Sequence, residues 1–349
     1  MKMIQLNERQ KSILSFISKN SGVHNKDILN YLNKTVSRAT VARDLDFLYK
    51  NSLIERKGEG RNVSYLKKVS SELLSYIDVN KYFEKDPDER ELLSKSFNFE
   101  IFEKLNNLFS KEEFDELDEL NNAYRKRIEK LSPAILKREW ERMIIELSWK
   151  SSKIEGNTYN LIDTETLIKE NIEAKGHRKE ESIMILNHKK ALDYILESKH
   201  DFKKLNWRDL ENIHSLLTQN LEVKKGIRKN AVGILGTSYT PLDNQYQIEE
   251  AGEKMIGLIN KIRHPIEKAM IIGLILPYIQ PFEDGNKRTS RISANAILLA
   301  HNYSLLSFRS INEVEYKKAL ILFYEQNNAR LFKELFIEQF KFSVSNYFK

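Results

Sequence analysis

The sequence predicts a mainly α-helical fold. Its 349 residues include only 12 glycines and 6 prolines, and apolar residues recur at three- to four-residue spacing over long stretches. Two short segments, residues 53–66 and 226–247, depart from this spacing. The length predicts two or three domains with at least one large core, and we place the boundaries near residues 68 and 131.

The composition excludes several classes of protein. The chain has no cysteine, so structural disulfides, thiolate zinc sites and cysteine nucleophiles are ruled out. The first residues, MKMIQLNERQKS, lack the long apolar segment of a signal peptide. The most apolar run, AMIIGLILPYI, is too short to cross a bilayer and contains Pro277. We therefore expect a soluble cytoplasmic protein without a membrane partner.

The first predicted domain, residues 1–68, has the pattern helix, helix, turn, helix and glycine-containing hairpin. Ser37 is a suitable N-cap for the third helix, RATVARDLDFLYK, and the segments SLIER and NVSYLK flank the turn KGEGR. This order resembles a winged helix-turn-helix, in which the third helix enters the DNA major groove and the wing touches the backbone. The apolar stripes of the three helices are Ile13, Leu14 and Ile17, then Ile28, Leu29 and Leu32, then Val41, Leu45 and Leu48.

Charge supports double-stranded DNA as a partner of this domain. From Lys34 to Lys68 there are nine basic and four acidic residues, and such an excess supplies affinity for phosphates. We expect Arg38, Thr40 and Arg43 on the third helix, and Arg61 on the wing, to contact DNA. The alternative is a role in protein interaction or dimerisation, because one fold hosts many functions.

Residues 69–131 are predicted to form highly charged helices, as in KEEFDELDELNNAYRKRIEKL. Opposite charges four residues apart support such helices. We expect this region to connect and pack, with its charged faces in solvent.

The stretch FEDGNKRTSR predicts an anion site at the start of a helix. Gly285 and Asn286 can adopt the backbone conformations that turn successive N–H groups toward one point, and the following helix adds its positive dipole end. Arg288 and Arg291 are neighbours on the first turn and could both hold phosphate oxygens. Asp284 is suited to hold Mg²⁺ between phosphates. These residue types together predict a phosphate and Mg²⁺ ligand, and a purely structural role is the alternative.

This stretch resembles the core motif of the Fic family, His-Pro-Phe-x-Asp/Glu-Gly-Asn-x-Arg-x-x-Arg. Two further stretches are similar to family motifs: SWKSSKIEGN to an inhibitory motif, on a helix at about 144–157, and GIRKNAVGILGTSYTPLD to the flap. The resemblance covers about residues 133–348, predicts a Fic domain at residues 132–349, and implies a helical Fic fold with a β-hairpin flap. The matching positions are Pro281, Phe282, Asp284, Gly285, Asn286, Arg288 and Arg291 in the core motif, Ser151, Glu155 and Gly156 in the inhibitory motif, and Gly233, Ile234, Leu235 and Gly236 in the flap.

The resemblance implies transfer of AMP from Mg-ATP to a Tyr, Thr or Ser hydroxyl of a target protein. It also implies that Glu155 pairs with Arg291 and so pushes the γ-phosphate into an unproductive pose, because a carboxylate and a phosphate cannot both take one guanidinium fork. The implied roles are Asp284 for Mg²⁺, Gly285, Asn286 and Arg288 for the α- and β-phosphates, Arg291 for the γ-phosphate, and Phe282 and Lys287 as further nucleotide-binding residues.

The chain departs from the motif at its first position, where Gln280 replaces the histidine that acts as general base. An amide has no basic nitrogen, so we expect the contribution of general-base catalysis, typically ~10²–10⁴-fold, to be missing. Glutamine can still orient a hydroxyl or a water, and Glu155 is another candidate base. We expect His214 and His264 to pack rather than to catalyse.

Two more departures bear on function. Pro277 is expected to kink the helix before the motif and to shift Gln280. Lys287 stands where members that transfer AMP often have glycine, and the Doc branch, which uses ATP for phosphorylation, has lysine there; the favoured interpretation is a lysine that points to solvent. The functions left open are a slow or inactive adenylyltransferase, a DNA-binding regulator whose Fic domain binds nucleotide without turnover, and a phosphotransferase or AMP-removing variant.

Overall fold

A computed structural model describes residues 6–20, 22–33, 35–50, 53–58, 60–67, 71–75, 77 and 79–349. They belong to two compact units, Met1–Asp78 and Val79–Lys349. Both units are built mainly from helices, which confirms the predicted fold class. Lys68 and Val69, at the first predicted boundary, lie outside the described residues.

In its described residues, the first unit contains three α-helices and a small antiparallel sheet. The strand order is β1-β3-β2, with Val23 opposite Tyr65 and Ile54 opposite Lys67. The first strand was not predicted, because two residues are too few to show alternation. The elements are α1 (Glu8–Lys19), β1 (Val23–His24), α2 (Asn25–Tyr31), α3 (Arg38–Lys50), β2 (Ile54–Lys57) and β3 (Ser64–Lys67).

The three predicted apolar stripes meet in the core of this unit. The Ser37 hydroxyl caps α3 as predicted, because its oxygen accepts from the N–H of Thr40 at 3.2 Å. The turn between β2 and β3 requires glycine at Gly58, where φ is +84° and a Cβ would lie 2.5 Å from the Asn62 carbonyl oxygen. The buried core residues include Ile13, Ile17, Ile28, Val41, Leu45 and Leu48, while Leu14, Leu29 and Leu32 are partly buried against them.

Residues 79–131 contain less helix than predicted, and they belong to the same compact unit as residues 132–349. Only one helix here is long; the chain between residues 84 and 100 is mostly irregular. Ser, Asn and Asp are frequent in that stretch, and their side chains compete with the helix for backbone hydrogen bonds. The helices are α4 (Val79–Phe83), α5 (Ile101–Lys104) and α6 (Lys111–Ile128).

The rest of the second unit is a helical assembly around α12 and α13. Every residue of α12 from Ile266 to Ile279 is buried, as expected for a helix that is apolar on all sides, and it contacts α11, α13, α14 and α15. None of the described helices combines the length and the apolar character needed to cross a bilayer. The helices are α7 (Pro133–Ile154), α8 (Leu161–Glu170), α9 (Lys179–Glu197), α10 (Trp207–Leu217), α11 (Gln245–Lys261), α12 (Pro265–Ile279), α13 (Asn286–Ala300), α14 (Glu313–Gln326) and α15 (Arg330–Asn346).

The flap, residues 226–243, is a loop and not the expected β-hairpin. The fully described stretch from Gly226 to Asn244 contains no strand, and it turns at residues 235 and 236. The backbone N–H groups near its ends donate to other parts of the chain: that of Arg228 donates to Pro281 at 2.9 Å and that of Thr240 donates to Lys95 at 2.8 Å. These outside partners replace the ladder that a hairpin would need, which corrects that expectation.

Candidate active site

The turn between α12 and α13 is closed by one amide side chain. Gln280 ends α12 in the left-handed region, with φ of 53°, and Gly285 precedes α13 with φ of 81°. Between them, Asn286 Oδ1 accepts from the N–H of Phe282 at 2.9 Å, and its Nδ2 donates to the Phe282 carbonyl at 2.8 Å. The backbone N–H groups in the first turn of α13 have no partner within the helix. N–H groups at a helix start can bind an anion, and the anion site stays a prediction at this turn.

Gln280 is held on both sides of its amide group. Its Nε2 donates to the carbonyl of Pro277 and its Oε1 accepts from Nδ2 of Asn286, each at 2.8 Å. Pro277 does not end the helix early, because α12 continues to Ile279 and the N–H of Gln280 still donates to Leu276 at 3.0 Å. Gln280 is buried, so its amide stabilises the turn and is already paired.

An open cleft of about 140 Å³ lies between this turn and the flap. Gln280, the first turn of α13 and Glu155 line one side. The flap supplies residues 232–235, among them Leu235, whose side chain is 98% exposed. Of the flap residues expected at the nucleotide, Gly233, Ile234 and Leu235 line the cleft, whereas Gly236 does not.

Asp284 and Arg288 form an ion pair at this cleft. Nη2 of Arg288 lies 2.8 Å from Oδ2 of Asp284, whose side chain is 69% exposed. The other amino group of Arg288, Nη1, is buried without a hydrogen-bond partner. A buried donor of this kind usually has a partner, so an anion in the cleft would complete its bonding.

Asp284 also fits the role of a magnesium ligand. Mg²⁺ in nucleotide sites is commonly held by one or two carboxylates together with substrate phosphates. Within the described ranges, no cluster of three or more Asp, Glu or His side chains could hold a metal on its own. The donor set therefore fits a Mg²⁺ ion that Asp284 would share with the phosphates of a ligand.

Arg291 is buried, and the end of α7 engages its Nε and Nη2, whereas its Nη1 is buried without a hydrogen-bond partner. Its Nη2 lies 2.8 Å from Oε1 of Glu155, and the guanidinium also donates to the Ser151 hydroxyl at 2.9 Å and to the Ser151 carbonyl at 3.0 Å. Only 1% of the Arg291 side chain is exposed. Gly156 lets the chain leave α7 at this point, with φ of 96°. The structure thus brings together Glu155 and Arg291, as the family resemblance implied.

A second cation holds Glu155 in the cleft. Nζ of Lys287 lies 3.6 Å from Oε2 of Glu155, so Lys287 does not simply point to solvent, which corrects that expectation. Burial raises the pKa of Glu155, but the positive charges of Arg291 and Lys287 outweigh burial and lower it to about 2. The carboxylate is therefore charged throughout the physiological range.

His188, which the sequence did not single out, lies behind this ion pair. Its Nδ1 is 2.8 Å from the Met184 carbonyl, so Nδ1 carries the proton and Nε2 accepts from the Ser151 hydroxyl at 2.9 Å. Burial lowers the pKa of His188 to about 3, which keeps the ring neutral. Ser151 in turn accepts from Arg291. His188 thus fixes the hydroxyl that orients the guanidinium.

His214 packs beneath the motif, as expected. Its ring stacks on Phe282, with centroids 3.9 Å apart, and its Nε2 donates to the carbonyl of Asp284 at 3.0 Å. Burial lowers the pKa of His214 to about 4. His264 is the N-cap of α12, so both histidines make structural contacts.

Arg228 is a further residue that sequence reasoning missed. Its side chain is 2% exposed, and it donates to the carbonyls of Gln280 at 2.6 Å and Asn230 at 2.7 Å, and also to that of Leu242. These bonds tie both ends of the flap to the α12–α13 turn. A buried arginine bonded only to carbonyls has no sequence signature, because its partners are backbone atoms.

The predicted DNA contacts lie in the first unit. Arg38 and Arg43 are exposed on α3, whereas Thr40 is half-buried and its hydroxyl lies 2.9 Å from that of Ser37 in the helix cap. The side chain of Arg61 lies outside the part that the structure describes.

Comparison with known proteins finds similarity in the part of the chain that supplies most of the cleft. A model of the Fic/DOC family matches residues 204–298. Curated relatives include proteins named Protein adenylyltransferase Fic from Culex quinquefasciatus, 30% identical over 177 residues, covering 48% of this chain and 34% of that protein. The relative of the same name from Nematostella vectensis is 25% identical over 189 residues, covering 53% and 44%.

Solved structures show the same fold. Fic-1 (residues 134–508) from C. elegans superimposes with a TM-score of 0.56 at 19% identity, over 67% of this chain and 70% of that one. A Fic domain-containing signalling protein from Bacteroides thetaiotaomicron gives a TM-score of 0.56 at 19% identity, over 67% and 94%. The second unit therefore has the fold of these Fic proteins, and its residues 204–298 match the Fic/DOC family model. The chain spans less than half the length of these two curated relatives.

Proposed function

We propose that this chain binds Mg-ATP in the cleft between the flap and the α12–α13 turn, as a protein adenylyltransferase of the Fic type. Glu155 would hold it in an inhibited state. The observation that carries this proposal is the ion pair of Glu155 with Arg291 beside a cleft suited to phosphates. Relatives named Protein adenylyltransferase Fic support AMP transfer in general.

The cleft offers separate donors for different parts of a triphosphate. The first-turn N–H groups of α13 and the unpaired Nη1 of Arg288 would bind inner phosphates. Arg291 would bind the γ-phosphate, but only after Glu155 leaves, because its Nη2 faces Glu155, its Nε donates to Ser151, and its remaining amino group, Nη1, is buried away from the cleft opening. Asp284 would hold Mg²⁺, which offsets phosphate charge when bound.

Gln280 limits turnover in this proposal. In AMP transfer a hydroxyl oxygen of the target forms a bond to the α-phosphorus, the bond from that phosphorus to the bridging oxygen breaks, and pyrophosphate leaves. The hydroxyl proton needs an acceptor, and the Gln280 amide cannot titrate in the usable range. Its oxygen already accepts from Asn286. We expect a rate lower by ~10²–10⁴-fold than that of a site with histidine at this position.

Labelled ATP tests this function with three proteins: the native chain, Glu155→Gly, and Glu155→Gly combined with Gln280→His. We expect label on the chain itself or on added proteins with the combined variant, and little with the other two. Equal labelling by Glu155→Gly alone contradicts the role given to Gln280. No labelling by the combined variant contradicts adenylyl transfer.

A second candidate function is DNA-bound regulation, in which the Fic domain senses nucleotide without turnover. Two observations favour it: Arg38 and Arg43 are exposed on α3 of the first unit, and the Gln280 amide is fully paired within its turn. The order of helices and strands in the first unit supports a winged helix-turn-helix, which would place α3 in the major groove.

Duplex binding at two salt concentrations tests this alternative. We expect affinity to fall steeply between 50 and 200 mM salt, roughly tenfold or more if a few phosphates are contacted, and to be lost in Arg38→Ala/Arg43→Ala. A suitable control is Lys19→Ala, which removes a basic residue from the last turn of α1. Binding to no duplex, or equal loss in the control, argues against a DNA partner.

A further inference from the structure

A segment far earlier in the sequence than the Fic motif anchors the outer arm of the flap, residues 236–240. We call residues 82–96 the brace. Nη2 of Arg90 donates to the carbonyl of Gly236 at 2.7 Å. The Ser238 hydroxyl donates to Asp88 at 2.8 Å. Further along, the N–H of Thr240 donates to Lys95 at 2.8 Å, next to a parallel bridge with Ser96.

A buried carboxylate joins the brace, the flap and α14. Glu325 is completely buried, and it accepts from the Tyr82 hydroxyl at 2.7 Å, from Nη1 of Arg90 at 3.2 Å and from the Thr237 hydroxyl at 2.6 Å. These donors come from two separate parts of the chain: Tyr82 and Arg90 belong to the brace, and Thr237 belongs to the flap. The Glu325 carboxylate is thus satisfied only when all of them are in place.

The chemistry of this junction argues for a positioning role. Burying an ion pair is a poor route to stability, because desolvation opposes the gain and apolar residues of similar volume often serve as well. Such a pair does fix geometry, since losing one partner leaves the other buried and unpaired. Arg90 suits this task because its planar fork reaches two acceptors at once, Glu325 and the Gly236 carbonyl.

The consequence is a flap with one fixed arm and one free arm. Arg228 holds its base and the brace holds its outer arm. Residues 229–235 lie between these anchors, are exposed or half-buried, and include the residues that line the cleft. A segment of an acceptor protein would meet this free arm, beside the nucleotide site.

We propose that Arg90 and Glu325 are positioning residues that fix the outer arm of the flap, so that its free arm stands over the cleft in one orientation for an acceptor polypeptide. This rests on the proposed adenylyl transfer for its link to catalysis, although the anchoring itself is independent of it. Neither residue lines the cleft, so neither is a catalytic residue.

Hydrogen exchange on the full chain tests the anchoring with Glu325→Gln, Arg90→Met and Arg90→Lys. The matched control is Glu313→Gln. Glu313 lies on α14, like Glu325, but at the other end of the helix, and the substitution breaks its ion pair with the buried Lys150 of α7. We expect exchange at the amides of Tyr239 and Thr240 to rise about tenfold or more in Glu325→Gln and Arg90→Met, with α12 and α13 unchanged. Arg90→Lys keeps a charge near Glu325 but cannot reach Gly236 as well, so a smaller, flap-specific rise is expected.

The same substitutions in the Glu155→Gly/Gln280→His background test the link to acceptor transfer. If that background labels, we expect the brace variants to lower labelling about tenfold while the Kd for Mg-ATP stays within about twofold. The proposal is overturned if flap amides of the brace variants exchange no faster than those of Glu313→Gln, or if exchange rises evenly over all helices. It is also overturned if the brace variants label as well as their background. If the background variant does not label, adenylyl transfer fails as the function, and exchange alone decides the anchoring. If Glu325→Gln does not fold, the milder Arg90→Lys decides it.

Discussion

Glu155→Gln is the substitution that most directly tests how the cleft treats a triphosphate. It keeps the shape of the side chain but removes the charge held by Arg291 and Lys287. The pKa of the Glu155 carboxyl falls from 4.5 to about 2 in the folded chain. Since one pKa unit corresponds to about 1.4 kcal/mol, the charged form is stabilised by about 3 kcal/mol. A γ-phosphate that takes Arg291 must first overcome this stabilisation.

The expected result is a change in nucleotide preference. In the native chain Mg-ATP should bind no better than Mg-ADP, because the group for the γ-phosphate is engaged. In Glu155→Gln the affinity for Mg-ATP should rise on the order of 100-fold, the equivalent of about 3 kcal/mol. Affinity for Mg-ADP should change less, because ADP does not need Arg291.

Isothermal titration with both nucleotides measures this preference. Glu283→Gln is a matched control, because Glu283 lines the same cleft but pairs with Lys224 at 3.5 Å rather than with Arg291. It reports the effect of removing one negative charge near the ligand. The reasoning is refuted if the ratio of ATP to ADP affinity in Glu155→Gln stays within about twofold of the native ratio.

Three further predictions concern the same site. Lys287→Ala should raise the pKa of Glu155 above about 2, as measured by carbon NMR titration of glutamate carboxyls. The charged carboxylate stabilises the fold fully above a pH of about 4.5, and this stabilisation is lost as the pH falls through the folded pKa. In the variant the loss should therefore be complete at a higher pH than in the native chain. His188 stays neutral in the fold with a pKa of about 3, so stability falls as pH drops below about 6.5, where the unfolded ring binds a proton. His188→Gln should therefore make the free energy of unfolding less dependent on pH between about 6 and 4, by up to about 1.4 kcal/mol per pH unit. If denaturant titrations show the same pH dependence in the variant, the buried ring is not neutral. Gly285→Ala should destabilise the fold by about 1–3 kcal/mol, because the φ of Gly285 is +81°, and should weaken nucleotide binding. Gly257→Ala, inside α11 with open space around it, should leave binding unchanged and stabilise the fold slightly. Equal shifts of the thermal unfolding midpoint in the two variants would contradict the turn geometry.

Local features of the site could be predicted because their partners are close in sequence. The helix start at Asn286, the glycine before it and the adjacent Arg288 and Asp284 all belong to one short stretch, so turn chemistry and helix-end electrostatics determine them. The third helix of the first unit was predicted from Arg38 to Lys50, and the structure has these bounds. A cap and a regular apolar stripe fix such a helix without help from distant residues.

Features that depend on distant partners could not be predicted. The flap was expected to be a hairpin, but its arms bond to the α12–α13 turn and to the brace. Lys287 was expected to point to solvent, but it faces Glu155. His188, Arg228 and the junction at Glu325 gave no signal, because a buried polar residue is recognised only by the groups that satisfy it.

The sequence by itself determined that a glycine-containing turn precedes a helix at Asn286 and that glutamine stands at Gln280, because both follow from residue types within one contiguous stretch. The tertiary structure decided which side chains surround that turn and which of them are already paired. It placed the end of α7 on Arg291, paired Gln280 within its own turn, and fixed the flap through Glu325. The reason is that backbone conformation is governed by neighbours in the chain, whereas ion pairs and buried hydrogen bonds join groups that only the packing of helices brings within reach.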